Sequence, residues 1–352
     1  MPPGLPTDLI LSDRQPLRFE TVEMHTGGEP VRIVTAGYPE IPGDTLLAKR
    51  RHVQTHLDAY RRFLMLEPRG HADMYGVIPV RPDLPGADLA VLFMHNEGYS
   101  TMCGHATLAV ARWAVDTGQV RRREGVTRVG LQCPCGLVEV SVAVENGRAG
   151  AAWFDSVPAF AAALDVGVEV PGYGAVTLDI GYGGAFYAIL PAQRLGLTMD
   201  SPVAALTDAA WAVAEAARAQ VSLAYPDASH PDSGDLAFLY GTILTDGADA
   251  WSEEPTRNIC IFAERQVDRS PTGSGVTARL ALQQARGQIA AGQVRRFRSI
   301  TGSEFTGSVV GTSWLGGVPA VTARVGGKGH YAGRCEFLLE ADDDLGGGFR
   351  VL

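Results

Sequence analysis

The sequence predicts an α+β fold built from two related domains that share one cleft. Three observations point that way. The chain has 352 residues, more than one ordinary hydrophobic core serves, so two domains of comparable size are expected. Short β-branched runs lie between glycine and proline punctuation, while few segments carry a helical period. Finally, Cys103-Gly104-His105-Ala106-Thr107-Leu108-Ala109 is echoed about half a chain later by Thr272-Gly273-Ser274-Gly275-Val276-Thr277-Ala278.

Taken in order, residues 31–34, 90–94, 137–142 and 258–262 read as strands, several of them apolar enough to be buried on both faces. Helical periodicity covers residues 45–65, 106–117, 202–224 and 275–291. Strands do not alternate regularly with helices, so a doubly wound dinucleotide-binding sheet is not expected. The stretch Asp179-Ile180-Gly181-Tyr182-Gly183-Gly184 lacks the glycine order and following helix of a dinucleotide loop, and reads as a strand turn. Each copy of the echo follows a strand-like run and leads into a helix rich in small residues. Two related domains, each presenting one such loop to a common cleft, account for it.

Composition narrows the function classes. An apolar content of 46% with 20% charged residues fits a globular protein. The formal charge of −9 argues against a nucleic-acid partner. The basic clusters at Arg121-Arg122-Arg123 and Arg295-Arg296-Phe297-Arg298 read as solvated turns. No apolar run approaches the roughly 18 residues of a membrane span. The first residues lack the basic and apolar regions of a secretory signal, so a cytoplasmic location is expected. Residues 1–15, rich in proline, read as an exposed arm. Five cysteines without a secretory signal point to free thiols, at least one of them chemical. Cys133-Pro134-Cys135 is too compact for a zinc site and reads as structural.

Cys103 sits where a loop meets the first turn of a helix. Unpaired backbone N–H groups there favour a thiolate, so a lowered thiol pKa is expected. Gly104 permits close approach of a ligand to the backbone, and His105 supplies a hydrogen bond. The plain alternative is a small buried cysteine. The second loop, Asp268-Arg269-Ser270-Pro271-Thr272-Gly273-Ser274-Gly275, offers backbone donors at a helix start but lacks the lysine of a phosphate loop. A carboxylate ligand suits it better, with Asp268 pairing an amine on the same ligand. Alternatively, Asp268 closes a turn and Ser270 and Thr272 cap the helix. Met24-His25-Thr26-Gly27-Gly28-Glu29-Pro30 reads equally as a structural turn and as a loop through which Glu29 reaches a site or a neighbouring loop. His230-Pro231 and residues 232–235 read equally as cleft lining and as surface loop.

Five segments, MHTGGEPVRIV (24–34), MCGHATLAVARWAV (102–115), DIGYGGAFYAI (179–189), QVDRSPTGSGVTARLA (266–281) and SITGSEFTGSVVG (299–311), resemble the proline racemase family in order and spacing. The resemblance implies two diaminopimelate-epimerase-like domains, each a β-rich layer wrapped around a central helix, with the active site in the interdomain cleft. Residues 1–158 with 334–352 are expected in the first domain, carrying Cys103, and residues 159–333 in the second, carrying Asp268 and Thr272. It also implies an enzyme without metal or cofactor, a homodimer, and a small imino acid as substrate.

Racemases and hydroxyproline epimerases of that family carry a cysteine in both loops, one per face of the substrate. Here the second position is Thr272, whose hydroxyl holds its proton too tightly to exchange it with a carbanion. Members with cysteine followed by threonine resemble enzymes that dehydrate trans-3-hydroxy-L-proline. The likeness implies Cys103 as base and Thr272 on the opposite face, with His105 binding substrate or helping the hydroxyl leave. Gly104, Gly273 and Ser274 then supply N–H groups to the carboxylate, and Asp268 accepts from the ring ammonium. The nearest alternative is a proline racemase or 4-hydroxyproline epimerase using a Thr272-held water as second acid. A non-catalytic imino-acid-binding protein is a further one, although binding alone has no need of the thiol.

Overall fold

The computed structural model describes residues 17–227, 229 and 233–351. The expected arm at residues 1–15, and His230, Pro231 and Asp232, lie outside the described residues.

The chain opens with a hairpin, β1 (Leu17–Thr26) and β2 (Glu29–Ala36), turned by Gly27 and Gly28 with φ of 65° and 89°. Two positive φ angles in a two-residue turn match the right-handed twist of the flanking strands, and glycine takes them without strain. Helices α1 (Leu46–His56) and α2 (Asp58–Met65) then cross over to β3 (Tyr75–Val80), which pairs parallel to β2. β4 (Leu89–His95) and the short β5 (Tyr99–Ser100) lead into α3 (Gly104–Asp116), then β6 (Gly125–Cys133), β7 (Gly136–Glu145) and β8 (Arg148–Asp155).

After β9 (Phe160–Val170) the same plan returns. The strands β10 (Gly174–Tyr182) and β11 (Phe186–Pro191) form a hairpin, and α4 (Val203–Gln220) with the short α5 (Ser233–Leu236) crosses to β12 (Leu239–Thr245), parallel to β11. Then follow β13 (Thr256–Phe262), β14 (Gln266–Asp268), α6 (Gly273–Ala285), β15 (Arg295–Arg298), β16 (Glu304–Leu315) and β17 (Val318–Gly327). α3 connects the parallel pair β4 and β6, as α6 connects β13 and β15. The last strand, β18 (Gly329–Leu339), returns to pair with β1, as β9 pairs with β10. Strands β8 and β17 pair with each other, and the eighteen strands of the described residues join in one hydrogen-bonded network. The architecture is α+β, as expected.

Burial explains which helices lie inside. α3 has almost no polar face, and eleven of its thirteen residues are buried. A helix apolar all round belongs in a core, and β1, β7, β8 and β18 wrap it. α6 is buried to the same extent and is wrapped by β9, β10, β16 and β17. By contrast, α1 and α2 cover one outer face. Leu46, Val53, Phe63 and Leu64 pack there against Phe19, Val34, Leu92 and Met94, while Val91 and Phe93 of the same β4 face the main core. This two-sided burial accounts for the unbroken apolar run at 90–94.

Candidate active site

The two echoed loops meet. α3 and α6 begin at Gly104 and Gly273, and a Cβ on Gly104 would lie 2.4 Å from the Cα of Gly273. Only glycine at both positions allows that approach. The first-turn N–H groups of two helices, which have no intrahelical acceptor, therefore converge on one place. An anion bound there meets both positive helix ends. A closed cavity lies at this junction, lined by Met102, Cys103, Gly104, His105, Asp268, Thr272, Gly273 and Ser274 with the aromatic rings of Tyr75, Tyr187, Tyr240 and Phe262, and by Cys260. All seven residues singled out from the two loops thus share one cavity.

Cys103 precedes α3 with extended backbone, and its Sγ lies 3.1 Å from Nδ1 of His105. The other ring nitrogen of His105 is 3.1 Å from the carbonyl oxygen of Pro30. A carbonyl only accepts, so Nε2 carries the proton and Nδ1 is left to accept from the thiol. Burial holds this imidazole neutral, with its pKa lowered to about 3. Both His105 nitrogens are therefore committed to protein groups.

The expected lowering of the Cys103 pKa is overturned. Burial pushes the thiol well above its ordinary value, outweighing the Ala106 N–H and the Tyr75 hydroxyl that favour the thiolate, with the Asp268 and Glu29 carboxylates adding to the rise. In a closed cavity desolvation acts on the whole charge, whereas a helix end supplies only a partial one.

On the second loop, Oδ1 of Asp268 accepts from Ser270 N at 2.7 Å and Oδ2 accepts from the Thr272 hydroxyl at 2.8 Å. Burial pushes the Asp268 carboxyl up to about 6 despite these bonds. Thr272 begins α6 without capping it through its side chain, and its φ of 65° is rare for a β-branched residue. Backbone strain of this kind, of order 1–3 kcal/mol, persists where surrounding structure holds it, characteristically at functional sites.

Glu29 reaches the second loop. Its fully buried carboxylate accepts from Arg269 N at 2.7 Å, and its Oε1 has no hydrogen-bond partner among the described residues. Burial and the neighbouring Asp268 raise its pKa well above the ordinary range. Tyr75, Tyr240, Phe262 and Cys260 carried no motif in the sequence, and Tyr187 lay in the 179–189 segment with no role assigned to it. They arrive on four different strands, β3, β11, β12 and β13, and only the fold brings them together.

The proline racemase family profile matches residues 21–350. Trans-3-hydroxy-L-proline dehydratase of Homo sapiens is 55% identical over 99% of this chain and 97% of its own length. The 3-hydroxyproline 2-epimerase of Burkholderia multivorans is 43% identical over 95% of this chain and 98% of its own. Among solved structures, a hydroxyproline epimerase from Agrobacterium vitis with bound trans-4-OH-L-proline has a TM-score of 0.88 at 27% identity, covering 97% of this chain and 96% of that one. This chain is an enzyme belonging to the proline racemase family.

Proposed function

We propose that the protein dehydrates trans-3-hydroxy-L-proline to pyrroline-2-carboxylate, with Cys103 as the base. The observation that carries this reading is the asymmetry of the cavity. A thiol stands at the head of one helix, and at the head of the other stands a hydroxyl already donated to Asp268. The 55% identity to a dehydratase supports the same conclusion.

Stereochemistry makes one base sufficient. In trans-3-hydroxy-L-proline the hydroxyl lies opposite the carboxylate across the ring, and so does the α-hydrogen. Hydrogen and hydroxyl therefore share a face, and elimination needs no acid on the other. The substrate carboxylate sits against the N–H groups of Gly104, Gly273 and Ser274, which stabilise charge spreading onto it as the α-proton leaves. Asp268 accepts from the ring ammonium, and Thr272 holds Asp268 in position. His105 keeps Cys103 oriented rather than touching the departing oxygen. The enamine formed by loss of water then tautomerises to the cyclic imine.

The alternative reading is a 4-hydroxyproline epimerase or proline racemase with a Thr272-held water as the second acid; the Burkholderia multivorans relative, a 3-hydroxyproline 2-epimerase, favours inversion as its chemistry. Two halves, residues 1–158 with 334–352 and residues 159–333, each contribute one loop; the 333/334 boundary falls within β18, whose whole length pairs with β1. A homodimer acting without cofactor in the cytoplasm completes the reading, on family likeness. No described helix is long and apolar enough to cross a membrane.

Proton NMR in deuterium oxide with trans-3-hydroxy-L-proline, 4-hydroxy-L-proline and L-proline is the test. Loss of water from the first alone is expected. Deuterium incorporation at Cα with inversion, and no loss of water, would replace the dehydratase reading with the epimerase one.

A further inference from the structure

We propose that Tyr75 is the acid that protonates the departing 3-hydroxyl, an assignment that rests on the dehydratase reading. Elimination needs a proton donor on the face of Cys103. While C3–O lengthens, the thiolate is itself receiving the α-proton, so a second group must already carry one. Both His105 nitrogens are engaged, by the thiol and by the Pro30 carbonyl. The Thr272 hydroxyl is donated to Asp268 and the Tyr187 hydroxyl pairs with Ser274 at 2.7 Å, which puts both on the side of the second loop rather than of Cys103.

Tyr75 is placed differently. It is 1% exposed, lines the cavity from β3, and sets its ring edge-on against His105 at 5.0 Å. Its hydroxyl bonds the Ser100 hydroxyl, and Cys103 lines the same cavity. Tyr240 lines the same cavity and also an adjoining crevice of about 870 Å³. Tyr75 and Ser100 therefore form a pair of exchangeable protons inside the cavity, which Tyr240 borders on the side of the crevice. Burial raises the Tyr75 pKa well above its ordinary value and so keeps the hydroxyl protonated until the reaction draws on it.

The step balances within the protein. Cys103 first gives up its proton to solvent as substrate enters; the thiolate then takes the α-proton, and the C2–H electron pair forms the C2=C3 bond. The C3–O pair leaves with oxygen, which takes the Tyr75 proton and departs as water. The Tyr75 phenolate then recovers a proton from the adjacent Cys103 S–H, restoring thiolate and phenol.

The test compares wild type and Tyr75→Phe on two substrates, trans-3-hydroxy-L-proline and trans-3-chloro-L-proline. Chloride leaves without a proton, whereas hydroxide does not. For the hydroxylated substrate the variant is expected to lose roughly 10²- to 10⁴-fold in kcat/KM, the usual contribution of a general acid. For the chlorinated one the loss should be much smaller, limited to the help the Tyr75 hydroxyl gives the thiolate, and the activity that remains reports an intact fold and a working Cys103. An equal loss on both substrates would assign Tyr75 to positioning Cys103 or to the fold, and an unchanged rate on the hydroxylated one would remove it from the reaction. If wild type itself released no water from trans-3-hydroxy-L-proline but eliminated chloride, the dehydratase reading would fall, and this role with it.

Discussion

At the scale of single residues, the cavity holds its charges against the cost of burial. Asp268 is the clearest case, with its pKa raised from the ordinary 3.8 to about 6 by desolvation. The folded state therefore holds that proton more tightly than the unfolded chain does. Its contribution to stability is fully present below the ordinary carboxylate range and is lost as pH rises through about 6. The shift corresponds to about 3 kcal/mol. Asp268→Asn removes the charge, so its melting temperature relative to wild type should be higher at pH 8 than at pH 5. The same variant should be nearly inactive. Wild-type kcat/KM should fall on acidification with a pKa near 6, since only the ionised carboxylate accepts from the ring ammonium. Melting curves at both pH values and a pH–rate profile check this. An unchanged relative melting temperature would show that Asp268 lacks the raised pKa.

At the scale of elements, the site depends on two helix ends meeting without side chains between them. Gly104→Ala would put a Cβ 2.4 Å from the Gly273 Cα, backbone that cannot give way as a flexible side chain does. The expected cost is about 1–3 kcal/mol of overpacking, together with a large loss of activity as the converging N–H groups separate. Denaturant unfolding and steady-state kinetics measure both, and a variant with wild-type stability and rate would contradict the close approach. Other element boundaries show what periodicity leaves out. The helical period at 45–65 is two helices, interrupted at Leu57, whose φ of −123° is not helical. No glycine or proline marks that break. The period at 275–291 runs past the end of α6, where Gly287 at φ 67° stops the helix. That glycine is the usual signal for a helix C-terminus and was readable.

At the scale of the whole molecule, the two halves close over the site from both sides. Cys103 is 6% exposed, and burial keeps its thiol protonated, whereas Cys335 on β18 is more open to solvent. A neutral, enclosed thiol reacts slowly with alkylating agents. Iodoacetamide at pH 7, without substrate, should therefore label Cys335 well before Cys103, with activity persisting through the first modification. Peptide mass spectrometry timed against activity decides it. Faster labelling of Cys103 would mean that the halves part readily in solution and that the thiol ionises outside the closed cavity.

The sequence by itself determined the class of fold, the internal repeat and the two loops. These are local properties: apolar period, glycine placement and a seven-residue echo all survive without knowledge of what lies across the chain. It also placed Cys103, His105, Asp268 and Thr272 on segments that turn out to share one cavity. Tertiary structure alone decided the rest. Tyr75, Tyr240, Phe262 and Cys260 reach the cavity from strands distant in sequence, so no spacing marks them, and the segment that holds Tyr187 gave no sign of which side chain faces the cavity. The state of the Cys103 thiol was misjudged for a related reason. The helix end that favours a thiolate is visible in a sequence, but the desolvation that outweighs it depends on every wall of the cavity at once.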